Sequence, residues 1–326
     1  MKIAILGAGA WGSALAVSLS AVHAVSLWTR RPEDCASLAR DRVSRYLPEA
    51  QLPEPVAIEP DLARAVRDAE LIVVATATAG LRETASAVAR VEPAPALVWA
   101  CKGFEGATRA LPHQIVADAM PKARRVGALS GPSFALEVAR GLPTALVFAS
   151  RDAGFASATA AALNGPRIRI YSSTDVVGVE LGGALKNVIA IAAGISDGLN
   201  LGRNARAALV TRGLAEISRL GVAMGGHAET FNGLTGLGDL VLTCTGDLSR
   251  NREVGVRLAK GKRLETVLAE LGHVAEGVHS ARAALDHARA QRVEMPITAA
   301  VCAVLFEGRP AQEAVQQLLT RDPRPE

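Results

Sequence analysis

The 326-residue sequence predicts an α/β fold, a doubly wound and mainly parallel sheet, followed by a separate all-helical domain. Three observations carry this reading. Short apolar runs alternate with Ala-rich stretches through the first half. A glycine-rich turn joins the first run to the first helical stretch. Beyond about residue 175, long Ala/Leu-rich segments follow one another without a convincing strand.

The first run, KIAILG (2–7), has the β-branched and apolar composition of a buried parallel strand and ends in glycine. SALAVSLSA then reads as a helix, and AVSLWT (24–29) as the second strand. LIVVAT (71–76), ALVWAC (96–101), RVGALS (125–130), TALVFAS (144–150) and RIRIYSS (167–173) continue the series. Helices are expected around 80–90, 109–119, 133–140 and 153–163. Such alternation implies crossover connections and a parallel sheet covered on both faces. The second half predicts helices over 177–195, 205–220, 252–259, 264–271, 277–290, 296–306 and 310–319. The boundary is placed near Ser173–Asp175, giving domains 1–174 and 175–326, and the terminal RDPRPE is expected to be disordered.

Composition excludes several classes. With 36 Lys+Arg against 32 Asp+Glu, 3% aromatics and only short basic clusters (KARR, KGKR), the chain lacks the stacking platforms and basic stripes of a nucleic-acid binder. The slight positive excess suits a small anionic ligand. Residues 3–29 carry no Asp, Glu, Lys or Arg, but three glycines and a second strand-like run argue against a signal peptide. Other charge-free stretches, such as 295–306, are too short for a membrane span. Cys35, Cys101, Cys244 and Cys302 are scattered, without CxxC or a neighbouring His at ligand spacing. They are expected to be reduced and buried, with no metal site. The histidines form no triad or metal pattern, and no nucleophile elbow is present.

Gly7-Ala8-Gly9-Ala10-Trp11-Gly12 is a G-x-G-x-x-G element in the context that gives it meaning, after a strand and opening a helix. Gly7 permits the tight turn, Gly9 the approach of backbone to a pyrophosphate, and Gly12 the close packing of helix on strand. The helix's first N–H groups then face the phosphates. The sheet is thus predicted to be Rossmann-type. An NAD site usually carries Asp or Glu at the end of the second strand, to hold the ribose 2′-hydroxyl. Here stand Trp28-Thr29-Arg30-Arg31, and paired guanidinium groups favour a 2′-phosphate. NADPH is the preferred cofactor on this reading and NADH the second choice. Solvated surface arginines are the plain alternative.

Lys186 is the only charged residue of GGALKNVIAIAAGIS (182–196) and is followed by Asn187. On a helix apolar nearly all round, its ammonium is either paired or pushed toward a lower pKa by desolvation. That suits a proton donor or acceptor. Asp239 is equally isolated among the glycines of GLTGLGDLVLTCTG (233–246), where it could pair with Lys186, bind a substrate hydroxyl or cap a helix. Ser249-Arg250-Asn251 precede a helix and offer hydroxyl, guanidinium and amide donors to a phosphate; plain capping is the alternative. Lys102 and Gly131-Pro132-Ser133 follow strands, at the carboxyl edge where such sheets bind ligands. Pro132 also suits a helix's first turn.

With these residues in place, the chain resembles the bacterial NAD(P)-dependent sn-glycerol-3-phosphate dehydrogenases over essentially its full length. The resemblance is carried by GAGAWGSALA (7–16), VWACKGFE (98–105), LSGPSFALEVARGLPTA (129–145), VELGGALKNVIAIAAGISDG (179–198), NARAALVTRGLAE (204–216), GLTGLGDLVLTCTGDLSRNREVG (233–255), VAEGVHSA (274–281) and VEMPIT (293–298). It implies interconversion of dihydroxyacetone phosphate and sn-glycerol 3-phosphate in the cytoplasm, supplying phospholipid synthesis, by a homodimer joined through the helical domain. Position by position it makes Lys186 the catalytic lysine, with Asp239 and Asn187 orienting it or the substrate. Lys102, Gly131, Ser133, Asp239, Ser249, Arg250 and Asn251 match substrate contacts. Ala10, Trp11, Arg30, Arg31, Lys102, Ala135, Arg250, Val274 and Glu276 match cofactor contacts. Ala75-Thr76-Ala77 departs from the family's usual Val-Pro-Ser type of turn. Two alternatives are a dehydrogenase of a 3-hydroxy acid, which the Ser249–Asn251 cluster opposes, and a non-catalytic dinucleotide sensor, which leaves a buried lysine unexplained.

Overall fold

The computed structural model describes residues 1–91, 95–271 and 275–320. Its strands in chain order are β1 (Lys2–Leu6), β2 (Ala24–Trp28), β3 (Val43–Ser44), β4 (Leu47–Gln51), β5 (Ala57–Glu59), β6 (Leu71–Val74), β7 (Ala96–Trp99), β8 (Val126–Ser130), β9 (Thr144–Ala149) and β10 (Ile168–Ser173). Eight of them form one sheet in the order β10-β9-β8-β7-β6-β1-β2-β5, and β3 and β4 make a separate antiparallel hairpin. The helices of this half are α1 (Ala10–Leu19), α2 (Pro32–Asp41), α3 (Leu62–Arg67), α4 (Leu81–Val88), α5 (Pro112–Ala119), α6 (Ala135–Ala139) and α7 (Ala153–Leu163).

The strands at the middle of the sheet, β1, β6 and β7, are apolar because both faces are covered, whereas β10 at the edge alternates buried and exposed residues. In β1, Ile3 and Ile5 enter a core shared with Leu15 and Leu19 of α1, Val25, Leu27, Val73 and Phe148. Ala4 and Leu6 enter the opposite core, with Ile72, Trp99, Leu81 and Ala85 of α4 and Ile115 of α5. Each such Ile or Leu contributes roughly 1.5–3 kcal/mol on burial. The register sets Ile5 opposite Leu27 on one side and Val73 on the other, so the three strand ends next to the glycine turn finish level.

All seven expected strands are present, but the sheet is not parallel throughout. β9 runs antiparallel to β8. The chain between them, residues 131–143, holds only the five-residue α6, so it re-enters the sheet from the edge it left. β10 then pairs in parallel with β9. Three short strands and two helices between Pro32 and Arg67 were not expected. They bury few apolar residues each, Cys35 and Leu38 in α2, Leu47 in β4 and Ala65 and Val66 in α3.

The chain divides into two units, Met1–Glu180 and Leu181–Glu326. The division falls within α8 (Val176–Gly198). The second unit continues with α9 (Gly202–Ala223), α10 (Ala228–Phe231), α11 (Asp239–Thr245), α12 (Arg250–Ala259), α13 (Leu264–Leu271), α14 (Glu276–Ala290), α15 (Pro296–Phe306) and α16 (Ala311–Leu319); its described residues contain no strand. α8 is long and apolar enough to cross a bilayer, with a mean hydropathy of 1.6, yet that window is 94% buried in protein. It is a core helix. A Cβ on Gly194 of α8 would overlap the Arg252 carbonyl oxygen of α12, and one on Gly255 the Ile191 carbonyl oxygen, so backbone lies on backbone where the two helices cross. RDPRPE lies outside the described residues.

Candidate active site

The first unit builds the turn after β1 as the glycine spacing requires. Gly7 has φ +119°, and a Cβ there would stand 2.9 Å from the Ala75 carbonyl carbon. A Cβ on Gly12 would overlap the Gly7 carbonyl oxygen. Gly9 differs: it has φ −68°, and an added Cβ would meet nothing within 4 Å. Protein packing therefore explains two of the glycines, and open space in front of the helix explains the third. Gly9 is the N-cap of α1, with no side-chain cap and no acid in the first turn, so the first N–H groups remain for an anion. Ala10 and Trp11 open the helix, half-buried against the core. Ser44 on the β3–β4 hairpin fixes the turn by donating to the Ala8 carbonyl at 2.9 Å. Thr76 Oγ1, in the Ala75-Thr76-Ala77 segment, is buried without a hydrogen-bond partner among the described residues. These features fit a dinucleotide's pyrophosphate.

The turn after β7 carries Lys102, whose Nζ donates to the Gly131 carbonyl at 3.0 Å. Ser133 Oγ donates to the same carbonyl, also at 3.0 Å. Gly131 has φ +133°, with Leu146 Cα 3.1 Å from where a Cβ would sit. The unit thus assembles Lys102, Gly131 and Ser133 at the carboxyl ends of β7 and β8. Ala135 opens α6. Pro132 lies ahead of the Phe134 N-cap and not in the helix's first turn, so that structural role is not the one it plays. Arg30 is exposed and pairs with Glu83 at 3.1 Å, and Arg31 is the N-cap of α2.

In the second unit Lys186 is 8% exposed and Asp239 wholly buried. Of the two fates open to the lysine, pairing is the one observed. Its Nζ donates to Asp239 Oδ1, and to Thr243 Oγ1 at 2.9 Å. Thr243 Oγ1 in turn donates to the Asp239 carbonyl at 2.6 Å. Asp239 is the first residue of α11 and not its N-cap, which is Gly238, so the capping alternative falls away. Close backbone contact brings it there: a Cβ on Gly182 of α8 would overlap the Thr235 carbonyl oxygen in the π-turn Leu234–Gly238.

Asn187 and Asn251 are buried partners. Asn251 Nδ2 donates to Asn187 Oδ1, and Asn251 Oδ1 accepts from Gly277 N, both at 3.0 Å. A Cβ on Gly277 would come within 2.6 Å of the Asn187 carbonyl oxygen. Ser249 is the N-cap of α12, accepting from Arg252 N at 3.2 Å, and Arg250 opens that helix exposed. Asp197 locks the same end, taking Arg252 Nε at 2.7 Å and Arg206 Nη1 at 3.1 Å. Glu276 opens α14, half-buried; Val274 lies outside the described residues.

Sequence reasoning missed Thr243, Ser44 and two buried carboxylates. Glu180 accepts from Trp99 Nε1 and from His113 N, each at 2.8 Å. Glu216 accepts from Ile297 N at 2.6 Å and Thr298 N at 3.2 Å, capping α15. A buried acid between apolar neighbours, as in both segments, was the available signal. Cys35, Cys244 and Cys302 are buried, but Cys101 is only half-buried, because it follows β7 at the open edge. Burial pushes the Cys244 thiol up to about 12.

A dinucleotide turn in one unit and an acid-paired buried lysine in the other define the class, a nicotinamide-dependent oxidoreductase. Comparison with known proteins gives the family. The family model described as NAD-dependent glycerol-3-phosphate dehydrogenase N-terminus matches residues 2–156, and its C-terminus counterpart matches 175–316. Glycerol-3-phosphate dehydrogenase [NAD(P)+] from Thiobacillus denitrificans is 58% identical, with both chains fully covered. The protein of that name from Nitrosospira multiformis is 54% identical over 100% of this chain and 99% of its own. A crystal structure of glycerol-3-phosphate dehydrogenase from Coxiella burnetii superposes with a TM-score of 0.93 at 40% identity, covering 98% of this chain and 99% of that one. The chain belongs to the NAD-dependent glycerol-3-phosphate dehydrogenase family.

Proposed function

We propose that this chain interconverts dihydroxyacetone phosphate and sn-glycerol 3-phosphate with NADPH or NADH, using Lys186 as the proton-transferring group. The observation that carries the reading is a buried ammonium held by Asp239 and Thr243 in a chain of this family. A nicotinamide held by the dinucleotide turn would supply the hydride for C2 of the ketone, or take it up in the reverse direction. As negative charge grows on the C2 oxygen, the Lys186 ammonium stabilises it and then donates the proton. In the oxidative direction the same amine takes that proton back. Asp239 supplies the counter-charge a buried ammonium needs, and Thr243 fixes its direction. Asn187, held by Asn251, presents its amide to the substrate.

Residues 1–174 are assigned most of the dinucleotide contacts and 175–326 most of the substrate contacts. Gly7, Gly9, Ala10, Trp11 and Gly12 hold the pyrophosphate; Arg30 and Arg31 face the adenosine ribose; Lys102, Ala135, Arg250, Val274 and Glu276 complete the coenzyme contacts. Ser249, Arg250 and Asn251 anchor the substrate phosphate at the start of α12, with Lys102, Gly131 and Ser133 as further contacts. Remote phosphate binding then fixes the carbonyl for reaction. The product feeds phospholipid synthesis, and four free cysteines support a cytoplasmic setting. We assign the working form as a homodimer. Its support is an open apolar groove of ≈1190 Å³ along α9, lined by Leu201, Leu209, Val222, Ile297, Val304 and Leu319 among others. Sedimentation as a single chain at micromolar concentration would refute it.

The test of the reaction is direct: protein, NADPH and dihydroxyacetone phosphate are mixed and the loss of NADPH absorbance is followed, then repeated with NADH. No loss with either coenzyme rejects the assignment.

A further inference from the structure

We infer that Glu83 is a specificity-determining residue that opposes the NADPH preference written at the end of β2 and keeps NADH usable. The inference rests on the coenzyme placement given above. Three observations carry it. The end of β2 offers Thr29, Arg30 and Arg31 and no acid, so its own sequence reads a 2′-phosphate. Yet the structure brings a carboxylate to that end from elsewhere in the chain: Glu83, in the first turn of α4, receives Arg30 Nη1 at 3.1 Å. The sheet order accounts for the meeting. β1 lies between β2 and β6, so the residues after β2 and those after β6 flank the glycine turn at the same edge. Neighbouring Arg82 is taken by Glu105 at 2.8 Å and Asp118 at 3.0 Å, which leaves Glu83 to Arg30.

A carboxylate tied to Arg30 acts oppositely on the two coenzymes. Toward a 2′-phosphate it neutralises the guanidinium and repels the dianion. Toward a 2′-hydroxyl it is the acceptor that NAD sites usually place on the second strand itself. Both side chains are largely exposed, 67% and 72%, so the pair is screened and its influence is graded, not absolute. A purely structural Glu83, favourable in the first turn of α4 through the helix dipole, would change stability but treat the two coenzymes alike.

The test measures dissociation constants of NADP⁺ and NAD⁺ by calorimetry on the enzyme without substrate, for the wild type, Glu83→Gln and Arg30→Ala. The expected result for Glu83→Gln is tighter NADP⁺ and weaker NAD⁺, moving the ratio Kd(NAD⁺)/Kd(NADP⁺) up by about three- to tenfold at low salt. At about 0.5 M salt that gain should shrink, because the Debye length falls to a few ångströms. Arg30→Ala should move the ratio the other way. If Arg30→Ala lowers the ratio while Glu83→Gln raises it less than about threefold, the inference on Glu83 is overturned and the coenzyme placement stands. If Arg30→Ala leaves both constants unchanged, the placement of Arg30 fails and the inference fails with it.

Discussion

The two units reach their functional geometry by different routes. In the first, the glycine turn is largely local: β1, Gly7–Gly12 and α1 are contiguous, and Ala75 and Ser44 add the distant contacts that hold it. In the second, the site exists only through contacts distant in sequence. Lys186 meets Asp239 and Thr243 across 53 and 57 positions, and Asn187 meets Asn251 across 64. A motif can announce the first kind of site, whereas only tertiary packing completes the second.

The sharpest way to separate the units is to disable one chemically. Lys186→Ala is expected to lower turnover by about a hundredfold or more, with coenzyme affinity retained. Near-normal turnover would remove the lysine from the chemistry; lost coenzyme affinity would show that the units are not separable in function. Within the first unit, Gly12→Ala and Gly9→Ala make a matched pair. The Gly12 Cβ has no room, and the overpacking should cost about 1–3 kcal/mol of stability in denaturant unfolding. The Gly9 Cβ meets nothing, so stability should hold while NADP⁺ binding weakens. If Gly9→Ala binds the coenzyme normally, the open space in front of α1 is not the pyrophosphate's.

A smaller effect tests the phosphate end of the second unit. Arg250→Ala should raise KM for dihydroxyacetone phosphate about tenfold, the scale of one charge-assisted bond, and leave unphosphorylated dihydroxyacetone little affected. Equal losses on both would return Arg250 to the role of a surface arginine beside a capped helix.

The same contrast explains what was legible. The seven main strands, the glycine turn and the helical second half could be read because apolar runs and glycine positions report local geometry. Lys186 and Asp239 stood out as lone charges in apolar surroundings, and their pairing was one of three roles the sequence left open for Asp239. The reversal at β9 was hidden, because strand direction depends on how far a connection travels, and the run TALVFAS looks the same either way. The π-turn and α11 were hidden too. The glycine that brings this segment against α8 is Gly182 of α8 itself, where a Cβ would overlap the Thr235 carbonyl oxygen, while one on Gly236 would overlap the Phe231 carbonyl oxygen. The contact of Glu83 with Arg30 was hidden as well, because it depends on the order of the strands in the sheet.

The smallest expected effect concerns the buried carboxylates, one in each unit. Desolvation raises Glu216 above its ordinary 4.5, outweighing the bonds from Ile297 N, Thr298 N and Thr298 Oγ1. Glu180 is raised for the same leading reason, but a histidine ring shares its site, so Glu216 gives the cleaner titration. A carboxyl whose folded pKa exceeds its unfolded value binds protons more tightly when folded. Its stabilising contribution is therefore complete below 4.5 and is lost as pH rises through the raised folded value. Glu216→Gln removes that titration and leaves a fixed offset from the altered cap on α15. The stability difference, wild type minus variant, should fall as pH rises from 4.5 toward neutrality, measured by urea unfolding at matched ionic strength. A difference that grows with pH would mean that the three hydrogen bonds outweigh desolvation. The helical unit would then hold Glu216 as a stabilising anion, like Asp239 against Lys186, and not as a group strained by its burial.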